Sequence, residues 1–551
     1  MNRLRPLMLV VAVLFVATAC NETPASTTQA PLADQTDPTG SASANSRVLS
    51  GDESYPNGFV VPAGTTWAFD PDVSTTVTVS GNVVVEGTLE MKPSSGAVEH
   101  VLRFEGVDES AFVGGGLDPV ETDVGLWVVG DGRLIVEGEE KTAWGYEYDP
   151  AWEGDEVVAA PNTPGDYMTF EPVNSTPPVN ELGYPTELLN LTRNVRIEGT
   201  PEGYTHVLIR STRPQTIRYA QLRWVAPGFG ETHTTGRYGI HFHMAGEGSR
   251  GSVVEGVVIR DAGNHAFVAH ASHGVTFRDT IAFLVANEAY WWDEPPDPDS
   301  EVYNPVNDTN DLVWDRAVAA GVQLGAGGNE FRLAGFFLGN GQNATVTNSV
   351  AVAVQGEAGM DRSGFIWPEA AGAVWTFENN VAHNNEANGI FTWQNNPQRH
   401  DVDDFTAYYN AGAGVNHGAY ENSYQYTRLT LLDNGIAVVS HAFGEPSEGV
   451  DTQVWTDITT GGGALLIAEH ATPLEAPVRF VRCDFSAVLV ADIDSDEPSD
   501  YEFVDCGLEP DDFDLREARA DAVFRVQRED GTAFRLTGDG TVTDIEPFYS
   551  G

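Results

Sequence analysis

The sequence predicts an all-β fold, a right-handed parallel β-helix (a solenoid) that is preceded by a small, glycine-punctuated β domain. Its 551 residues include 57 Gly, and runs of helix-favouring residues are scarce, which favours short strands joined by many turns. Beyond residue 190, a polar pair that leads into a β run recurs every 23 to 31 residues wherever no insertion intervenes. Such a period is typical of a solenoid, in which no repeat buries its apolar face alone and stacking builds the core.

The recurring pair has the same form in six places. The six segments are Glu255–Val258, Arg278–Ile281, Thr347–Val350, Glu378–Val381, Asp403–Thr406 and Thr427–Thr430. The asparagine pairs at 379–380 and 384–385 fit turn positions, because Asn tolerates left-handed backbone and can hydrogen-bond along a ladder. Leucine-rich repeats share the period but need a leucine lattice that is missing here. A β-sandwich is the alternative fold.

Residues 1–20 have the pattern of a bacterial lipoprotein signal peptide. Arg3 and Arg5 precede the apolar run Leu7–Val16, and the small residues that follow end in Cys20. Cys20 is therefore the predicted lipidation site, and an ordinary secretory signal is the alternative. We expect an extracytoplasmic protein that is either secreted or lipid-anchored to a bacterial membrane, with Cys20 as its only membrane contact.

Four regions are predicted after the signal peptide. Residues 21–50, rich in Ser, Thr, Pro and Ala, form a disordered tether. Residues 51–175 form the glycine-punctuated β domain, residues 176–475 the β-helix, and residues 476–551 the terminal coils and a cap. The repeat lapses between Trp292 and Phe336, and a loop of this kind on a solenoid often overhangs the binding face.

Cys483 and Cys506 end two similar four-residue segments, 480–483 and 503–506, and lie 23 residues apart. Equivalent positions on stacked coils lie about 4.8 Å apart, a separation that a disulfide can bridge. Because export makes oxidation plausible, we predict a disulfide, with a stacked pair of free thiols as the alternative.

The formal net charge of −52 excludes nucleic acid and anionic membranes as general partners. Residues 191–280 depart from this balance, with ten Arg against seven Asp and Glu. Either these arginines form a local patch that attracts an acidic ligand, or they pair with carboxylates elsewhere in the chain.

The segment from Arg237 to Met244 carries the most chemical information. Read as a strand, its successive side chains point to opposite faces. The face with Tyr238, Ile240, Phe242 and Met244 is apolar. The other face, predicted to be exposed to solvent, carries Arg237, His241 and His243.

Because successive coils stack, residues that lie one repeat apart in the sequence should form a column in space. The predicted column contains His243, His270 and Asp293, and farther along Trp393, His417 and His441. Coils stack about 5 Å apart, so neighbouring members could share one divalent metal ion, whose identity stays open, or act in acid–base chemistry. The alternative is that outward histidines only stack in ladders, and this is the reading for His265 and His273.

Several other residues are candidates for contact with a ligand. Arg237 and Arg260 could clamp a carboxylate or a sulfate. Trp291, Trp292, Trp367 and Trp393 are a candidate sugar-stacking platform or, equally, ordinary core packing.

These segments resemble motifs of the cell-migration-inducing, hyaluronan-degrading protein family. Fibrocystin-like proteins share the signature motif. Residues 236–243 resemble its Gly-Arg-Tyr-Pro-Ile-His-Phe-His signature, with Gly239 in place of the proline. Residues 264–275 and 288–294 resemble two further segments, although Glu288 replaces a family histidine and the acidic pair is reversed as Asp293-Glu294. Residues 337–350, with Asn340 and Asn343, and residues 379–383 also match. Residues 55–175 resemble, more weakly, the family's G-eight domain.

The resemblance implies an extracellular β-helix with carbohydrate-related activity, in some members the depolymerisation of hyaluronan. We therefore predict a cell-surface lipoprotein that binds and cleaves a polysaccharide, with an acidic, hyaluronan-like chain among the candidates. The partner is a polysaccharide or glycoconjugate, and the oligomeric state stays open.

The predicted catalytic residues are His241, His243 and His270, with Asp293 or Glu294 as carboxylate partner. Metal-assisted cleavage, with the three histidines holding the cation, is favoured over hydrolysis by the two carboxylates, because adjacent strand residues face opposite ways. The predicted substrate-binding residues are Arg237, Arg260, Trp291, Trp292, Asn340, Asn343 and Trp393. The rival functions are a non-catalytic glycan-binding adhesin and a structural surface protein.

Overall fold

The fold is a right-handed parallel β-helix, as the sequence predicts. The computed structural model describes residues 46–108, 124–228, 236–291, 308–325, 332–339, 341–355, 361–367, 374–393, 399–418, 423–441, 453–468, 478–491 and 500–549. Within these ranges, a typical coil contributes one strand to each of three sheets. No helix in the described part of the chain is long and apolar enough to cross a membrane.

The three sheets take their strands in turn along the chain. The first sheet contains Ser46–Leu49, Thr66–Phe69, Thr88–Met91, Arg133–Glu137, Thr216–Arg218, Val253–Glu255, Thr276–Arg278, Val313–Asp315, Thr345–Thr347, Thr376–Glu378, Arg399–Asp403, Ser423–Thr427, Gln453–Ile458, Val478–Cys483, Asp500–Val504, Val523–Gln527, Ala533–Thr537 and Val542–Ile545. The second sheet contains Asp52–Tyr55, Thr75–Val79, His100–Phe104, Val195–Glu198, Ala220–Arg223, Val258–Ala262, Ile281–Val285, Val318–Val322, Val350–Val354, Val381–His383, Thr406–Tyr408 and Thr430–Leu432. The third sheet contains Phe59–Val61, Val83–Val85, Leu126–Gly130, Val207–Ser211, Ile240–Gly246, Phe267–Ser272, Tyr290–Trp291, Arg332–Phe337, Asp361–Trp367, Asn388–Thr392, Ala413–His417, Ile436–His441, Leu465–Ala468, Val488–Val490 and Phe513–Asp514.

The six repeat segments of the sequence are the turns from the first sheet to the second. In each, the second residue has positive φ: Gly256 (61°), Asp279 (50°), Asn348 (53°), Asn379 (55°), Asp404 (50°) and Arg428 (56°). The residue after it is buried in the coil. A tight turn that needs one left-handed residue per coil favours Gly, Asn and Asp there, which explains why a polar pair recurs at the coil period.

Asparagine side chains form the predicted ladder at the next turn. The Nδ2 of Asn385 donates to Oδ1 of Asn410 at 2.8 Å, and the Nδ2 of Asn410 donates to Oδ1 of Asn434 at 2.8 Å. Asn385 and Asn410 are buried, so these hydrogen bonds satisfy amides that water does not reach.

The interior of the helix is filled by stacked side chains. On the third sheet, the ring of Phe267 stacks on Tyr290 at 4.9 Å, Tyr290 on Phe336 at 4.5 Å, and Phe336 on Phe365 at 4.8 Å. Each of these rings is fully buried. Side chains at equivalent inward positions of successive coils thus form one continuous core.

The predicted domain boundaries need correction. The first described strand of the β-helix, Ser46–Leu49, lies within the segment predicted as a tether, and the described strands of residues 51–137 are coils that pair in parallel with those that follow. Within the described residues, the strands up to Glu137 belong to the solenoid and do not form a separate β domain that ends at residue 175. Short glycine-punctuated strands are common to coils and to small β domains, so the sequence pattern did not distinguish the two.

Residues 140–194 leave the coil path and form a small docked unit. It contains an antiparallel sheet in the order Trp144–Gly145, Leu188–Asn190, Val157–Ala159 and Glu171–Pro172, and a short 3₁₀ helix at Pro150–Trp152. Its apolar side chains pack on the outer face of the second sheet, against residues such as Val258 and Val318. We call this unit the docked insertion.

The C-terminal coils continue the first sheet through Asp500–Val504. Two antiparallel pairings then connect Val523–Gln527, Ala533–Thr537 and Val542–Ile545. Two further 3₁₀ helices lie at Glu247–Ser249 and Pro510–Asp512. Cys483 and Cys506 are stacked as expected, and the backbone N–H of Cys483 donates to Sγ of Cys506 at 3.4 Å. Both are free thiols in the structure, which is the alternative to the predicted disulfide.

Candidate metal centre

The predicted histidine column begins on two neighbouring strands of the third sheet. Ile240–Gly246 pairs in parallel with Phe267–Ser272, and the register places His243 directly beside His270. Because Ile240 and Phe242 point into the core, strand alternation turns His241 and His243 to the outer face. We call His241, His243 and His270 the histidine trio.

The apolar face of this strand is shorter than predicted. The register shifts between His243 and Gly246, and Met244 has a φ of 47°. The side chain of Met244 is consequently 39% exposed and does not join Ile240 and Phe242 in the core.

The ring nitrogens of the trio converge. Nδ1 of His243 lies 3.3 Å from Nε2 of His241 and 3.3 Å from Nδ1 of His270. One ligand atom from each residue can be chosen so that all three lie within 4.8 Å of one another. The geometry therefore brings three potential ligand atoms to one point on the sheet.

A backbone hydrogen bond fixes the orientation of His241. Its Nδ1 lies 2.9 Å from the carbonyl oxygen of Gly236, which can only accept, so Nδ1 carries the proton. In the neutral ring, Nε2 then presents a lone pair towards His243. A histidine tied in this way to a carbonyl is the usual arrangement of a metal ligand.

The separations within the trio fit a metal ion better than a chain of hydrogen bonds. A neutral imidazole nitrogen either carries a proton or presents a lone pair, so Nδ1 of His243 cannot donate to one neighbour and accept from the other. Tetrahedral zinc sites have metal–nitrogen bonds of about 2.0–2.1 Å, which places neighbouring ligand nitrogens about 3.3–3.4 Å apart. The two 3.3 Å contacts match this edge length.

The trio is buried, whereas the sequence predicts an exposed groove. His241, His243 and His270 are 1%, 0% and 1% exposed. Burial, followed by the neighbouring His243 and His270, holds the pKa of His241 well below its usual value. His241 is therefore neutral at physiological pH, which is the form that binds a metal.

Aromatic packing accounts for part of this burial. The ring of Tyr238 lies 4.7 Å from that of His241 and 4.9 Å from that of His265. Trp291 packs edge-on against Tyr238 at 5.5 Å and stacks on His265 at 4.2 Å. Trp291 is 7% exposed, so it is a packing residue here and not an open sugar platform.

Three residues around the trio were not predicted as site residues. Nδ1 of His265 donates to the carbonyl oxygen of Glu288 at 2.9 Å, and the Glu288 carboxylate lies 3.4 Å from the same nitrogen. His206 precedes the third-sheet strand that pairs with Ile240–Gly246, and burial together with Arg237 lowers its pKa to about 3. The repeat did not single out His206, because the register places Leu208, two residues later, beside His241.

The two arginines proposed as anion clamps do not form an exposed patch with the trio. Arg237 is 4% exposed and lies close enough to His206 to influence its charge. Arg260 lies on the second sheet, where it donates to Glu156 at 2.7 Å and to Asp261 at 3.1 Å.

Other arginines of residues 191–280 pair with carboxylates in the same way. The described pairs include Arg196–Glu99, Arg218–Glu255, Arg223–Asp261, Arg250–Asp311 and Arg278–Asp315. Of the two interpretations of this segment, internal pairing is the one that the structure favours.

The remaining predicted site residues lie apart from the trio or outside the described residues. Asn343 is exposed and donates to Asp311 at 3.0 Å. Trp393 is half-buried and follows Asn388–Thr392, four strands beyond His270 in the third sheet. The predicted residues outside the described ranges are Cys20, Trp292, Asp293, Glu294 and Asn340.

The far part of the predicted column is out of register. His417 pairs with Thr392 and with Ser440, so Trp393 and His441 each lie one residue away from its row. A constant interval of 24 gave the wrong alignment because the intervals between paired residues here are 25 and 23.

Comparison with known proteins agrees with the family resemblance of the sequence. Residues 205–293, which contain the whole trio, match the family described as CEMIP beta-helix. A search of curated proteins found no match.

Two solved structures resemble the chain over most of its length. The periplasmic alginate epimerase AlgG is 10% identical, with a TM-score of 0.26, and the match covers 83% of this chain and 79% of that one. The Gp54 tailspike of Acinetobacter baumannii bacteriophage AP22, in complex with A. baumannii capsular saccharide, is 8% identical, with a TM-score of 0.30 and coverages of 84% and 74%.

Proposed function

We propose that this protein is an extracytoplasmic, polysaccharide-cleaving β-helix whose histidine trio holds a divalent metal ion. The observation that carries the proposal is the convergence of three imidazole nitrogens at 3.3 Å contacts in a buried site. The carbohydrate substrate is inferred from the resemblance of residues 205–293 to the CEMIP β-helix. Because the described arginines of residues 191–280 include many that pair with carboxylates, an acidic chain is only one of the candidate substrates.

Each histidine of the proposed site would have its own role. His241 offers Nε2, since its Nδ1 is held by the carbonyl of Gly236, and His243 and His270 offer ring nitrogens from neighbouring positions on two strands. When bound, the cation would polarise a substrate oxygen or a water molecule, as three-histidine zinc sites do. His265, oriented by the Glu288 carbonyl, is the candidate for moving a proton nearby.

Metal content is the first test of the proposal. The full chain, purified without chelator, is analysed by elemental mass spectrometry, and we expect about one divalent ion per chain, as a single trio requires. His243→Ala should lose the ion, whereas the control His273→Ala should keep it, because His273 lies outside the trio and contacts the backbone N–H of Asn310. Equal metal content in all three proteins would reject the metal centre.

Cleavage is tested separately from metal binding. The wild type and His243→Ala are incubated with neutral and acidic polysaccharides, and chain length is read by size-exclusion chromatography. We expect shortening of at least one glycan by the wild type, with loss of that activity in His243→Ala and after treatment with a chelator.

A non-catalytic glycan-binding protein is the second candidate. Burial of the trio favours it, because a polymer must reach a catalytic metal, whereas a structural metal needs no access. Bound metal and bound glycan without any shortening of the chain would select this alternative.

The lipid anchor at Cys20 is part of the same proposal. Cys20 lies outside the described residues, so the support is the signal-peptide pattern alone. In a bacterial host, the wild type should partition with membranes and Cys20→Ser should not. Recovery of both proteins in the soluble fraction would remove the anchor and leave secretion.

A further inference from the structure

A concave site lies on the docked insertion, away from the histidine trio. It has a volume of about 620 Å³, and most of its lining comes from residues 142–152. Arg316 completes the lining, from the turn that joins Val313–Asp315 of the first sheet to the second sheet. The trio lies on the third sheet, so this depression, which we call the aromatic pocket, is a separate feature of the fold.

Four aromatic side chains line the aromatic pocket: Trp144, Tyr146, Tyr148 and Trp152. Tyr146 packs edge-on against Trp144 with ring centroids 5.8 Å apart, and Tyr148 packs edge-on against Trp152 at 5.7 Å. Both tryptophans are buried, at 2% and 1% exposure, and their indole N–H groups donate to the carbonyls of Arg316 and Thr142. The tryptophans are therefore rigid walls whose polar atoms are already satisfied.

Tyr146 differs from every other described aromatic residue in its exposure to solvent. Tyr146 is 38% exposed, and every other described Phe, Trp or Tyr is less exposed. A tyrosine ring held against a buried tryptophan at the mouth of a pocket offers a flat apolar surface at low entropic cost. The apolar face of a pyranose ring matches such a surface, because both are flat and both remove apolar area from water on contact.

Polar groups suited to hydroxyls border the same surface. Asp149 accepts hydrogen bonds from the backbone N–H of Ala151 at 2.9 Å and from Oγ1 of Thr142 at 3.3 Å. Since a carboxylate has about four acceptor positions, these two contacts leave acceptor capacity for ligand hydroxyls. Glu147, which is exposed, adds a second carboxylate.

The charge of the pocket selects among sugars. Arg316 donates to Asp279 at 2.6 Å and its guanidinium lies 4.9 Å from the Trp144 ring centre, so a carboxylate already balances its charge. Glu147 and Asp149 then leave the pocket with excess negative charge, which repels uronic acids and sulfated sugars. From this geometry we infer that the aromatic pocket binds a neutral hexopyranose unit of a glycan chain.

The test uses the full chain and defined neutral oligosaccharides. Saturation-transfer NMR with cellotetraose, maltotetraose and a galactotetraose is compared with the same measurement on a hyaluronan tetrasaccharide, and titration gives the dissociation constants. We expect at least one neutral tetrasaccharide to bind and to lose about tenfold or more in affinity in Tyr146→Ala, because the variant removes the exposed ring. Tyr146→Phe should restore binding to within about threefold, since it keeps the ring.

A second variant fills the pocket without removing any group. Gly145 lines the pocket, and a Cβ built on it meets no atom within 4 Å. Gly145→Leu should thus fold normally and abolish binding, whereas Val179→Ala, an exposed position in the same insertion but outside the pocket lining, should not change it.

The outcomes separate this inference from the proposed function. Binding that is lost in Tyr146→Ala and Gly145→Leu but kept in His243→Ala supports the aromatic pocket, whether or not the trio binds metal or cleaves glycan. The inference is overturned if no neutral tetrasaccharide binds the wild type, if neither pocket variant weakens binding, or if only His243→Ala does so.

Discussion

At the scale of single residues, burial decides the chemistry of the histidines. His206 and His241 are almost fully buried, and burial is the largest cause that lowers the pKa of each. Neutral rings can hold a cation or accept a hydrogen bond, whereas imidazolium can do neither. Burial therefore keeps His241 in the form that the proposed metal centre needs, and the buried His206 makes the fold sensitive to acid.

We expect the stability of the metal-free protein to fall as pH is lowered below about 6.5. His206 has a pKa of about 3 in the folded chain and about 6.5 when unfolded, so between these values only the unfolded chain takes up the proton. The contribution of neutral His206 to the free energy of unfolding is fully present above pH 6.5. It declines by about 1.4 kcal/mol for each pH unit below that value. Denaturant unfolding at pH 7, 6 and 5 measures the slope.

A matched variant isolates His206 in that measurement. His206→Asn removes the titrating ring, so the loss of stability per pH unit should be smaller by about 1.4 kcal/mol than in the wild type. The window of pH 5 to 6.5 lies above the ordinary pKa of carboxylates, which keeps their titration out of the slope. Identical slopes in the two proteins would contradict the assignment.

At the scale of secondary-structure elements, turns and stacked rows hold the coils together. The left-handed turn residues set where each strand begins, and the asparagine ladder and the aromatic stack connect one coil to the next. Each of these features repeats a contact between neighbouring coils, so stability is distributed along the solenoid. A single substitution therefore changes mainly the stability of the two interfaces between its coil and the neighbouring coils.

Asn410→Ala should destabilise the protein by about 1–3 kcal/mol, the usual cost of leaving buried hydrogen-bonding groups without partners. Asn410 is 2% exposed, and it contacts Asn385, Asn434 and the carbonyl of Ala382. Thermal and denaturant unfolding measure the change. The control Asn174→Ala, at an exposed position of the docked insertion outside the positive-φ turns, should change stability by no more than about 0.5 kcal/mol.

Phe336→Ala should have a larger effect, about 3–5 kcal/mol, because it opens a cavity in the aromatic stack. Its ring is fully buried between Tyr290 and Phe365. Phe336→Leu keeps most of the volume and should cost less than half as much. If the two variants unfold at the same denaturant concentration, the ring is not packed as described.

At the scale of the whole molecule, a solenoid must protect its two ends. Most coil strands pair through their backbones with a strand of the next coil, so the last parallel strand of the first sheet would present unpaired N–H and C=O groups. The antiparallel strands Val523–Gln527, Ala533–Thr537 and Val542–Ile545 occupy this position at the C-terminal end. They end the parallel first sheet in an antiparallel meander.

Truncation after Asp521 should remove this protection. The strand Asp500–Val504 would then lose its partner Val523–Gln527 and become an exposed edge. We expect the truncated chain to associate in a concentration-dependent way, measured by size-exclusion chromatography with light scattering. A monodisperse truncated chain, at the concentrations where the wild type is monodisperse, would show that the meander is not a protective cap.

The sequence by itself determined the repeat, and with it the fold class, the turn positions and the pairing of His243 with His270. These follow from local rules, because a left-handed turn residue and a two-residue strand alternation are readable from neighbouring residues. The continuity of the N-terminal coils, the docked insertion and the aromatic pocket were decided by tertiary structure. They depend on contacts between segments far apart in the chain, such as Trp144 with Arg316, and no local pattern encodes which distant segment a strand will meet. Burial of the histidine trio has the same origin, since alternation assigns a side chain to the outer face but only the packing of Tyr238 and its neighbours decides whether that face meets water.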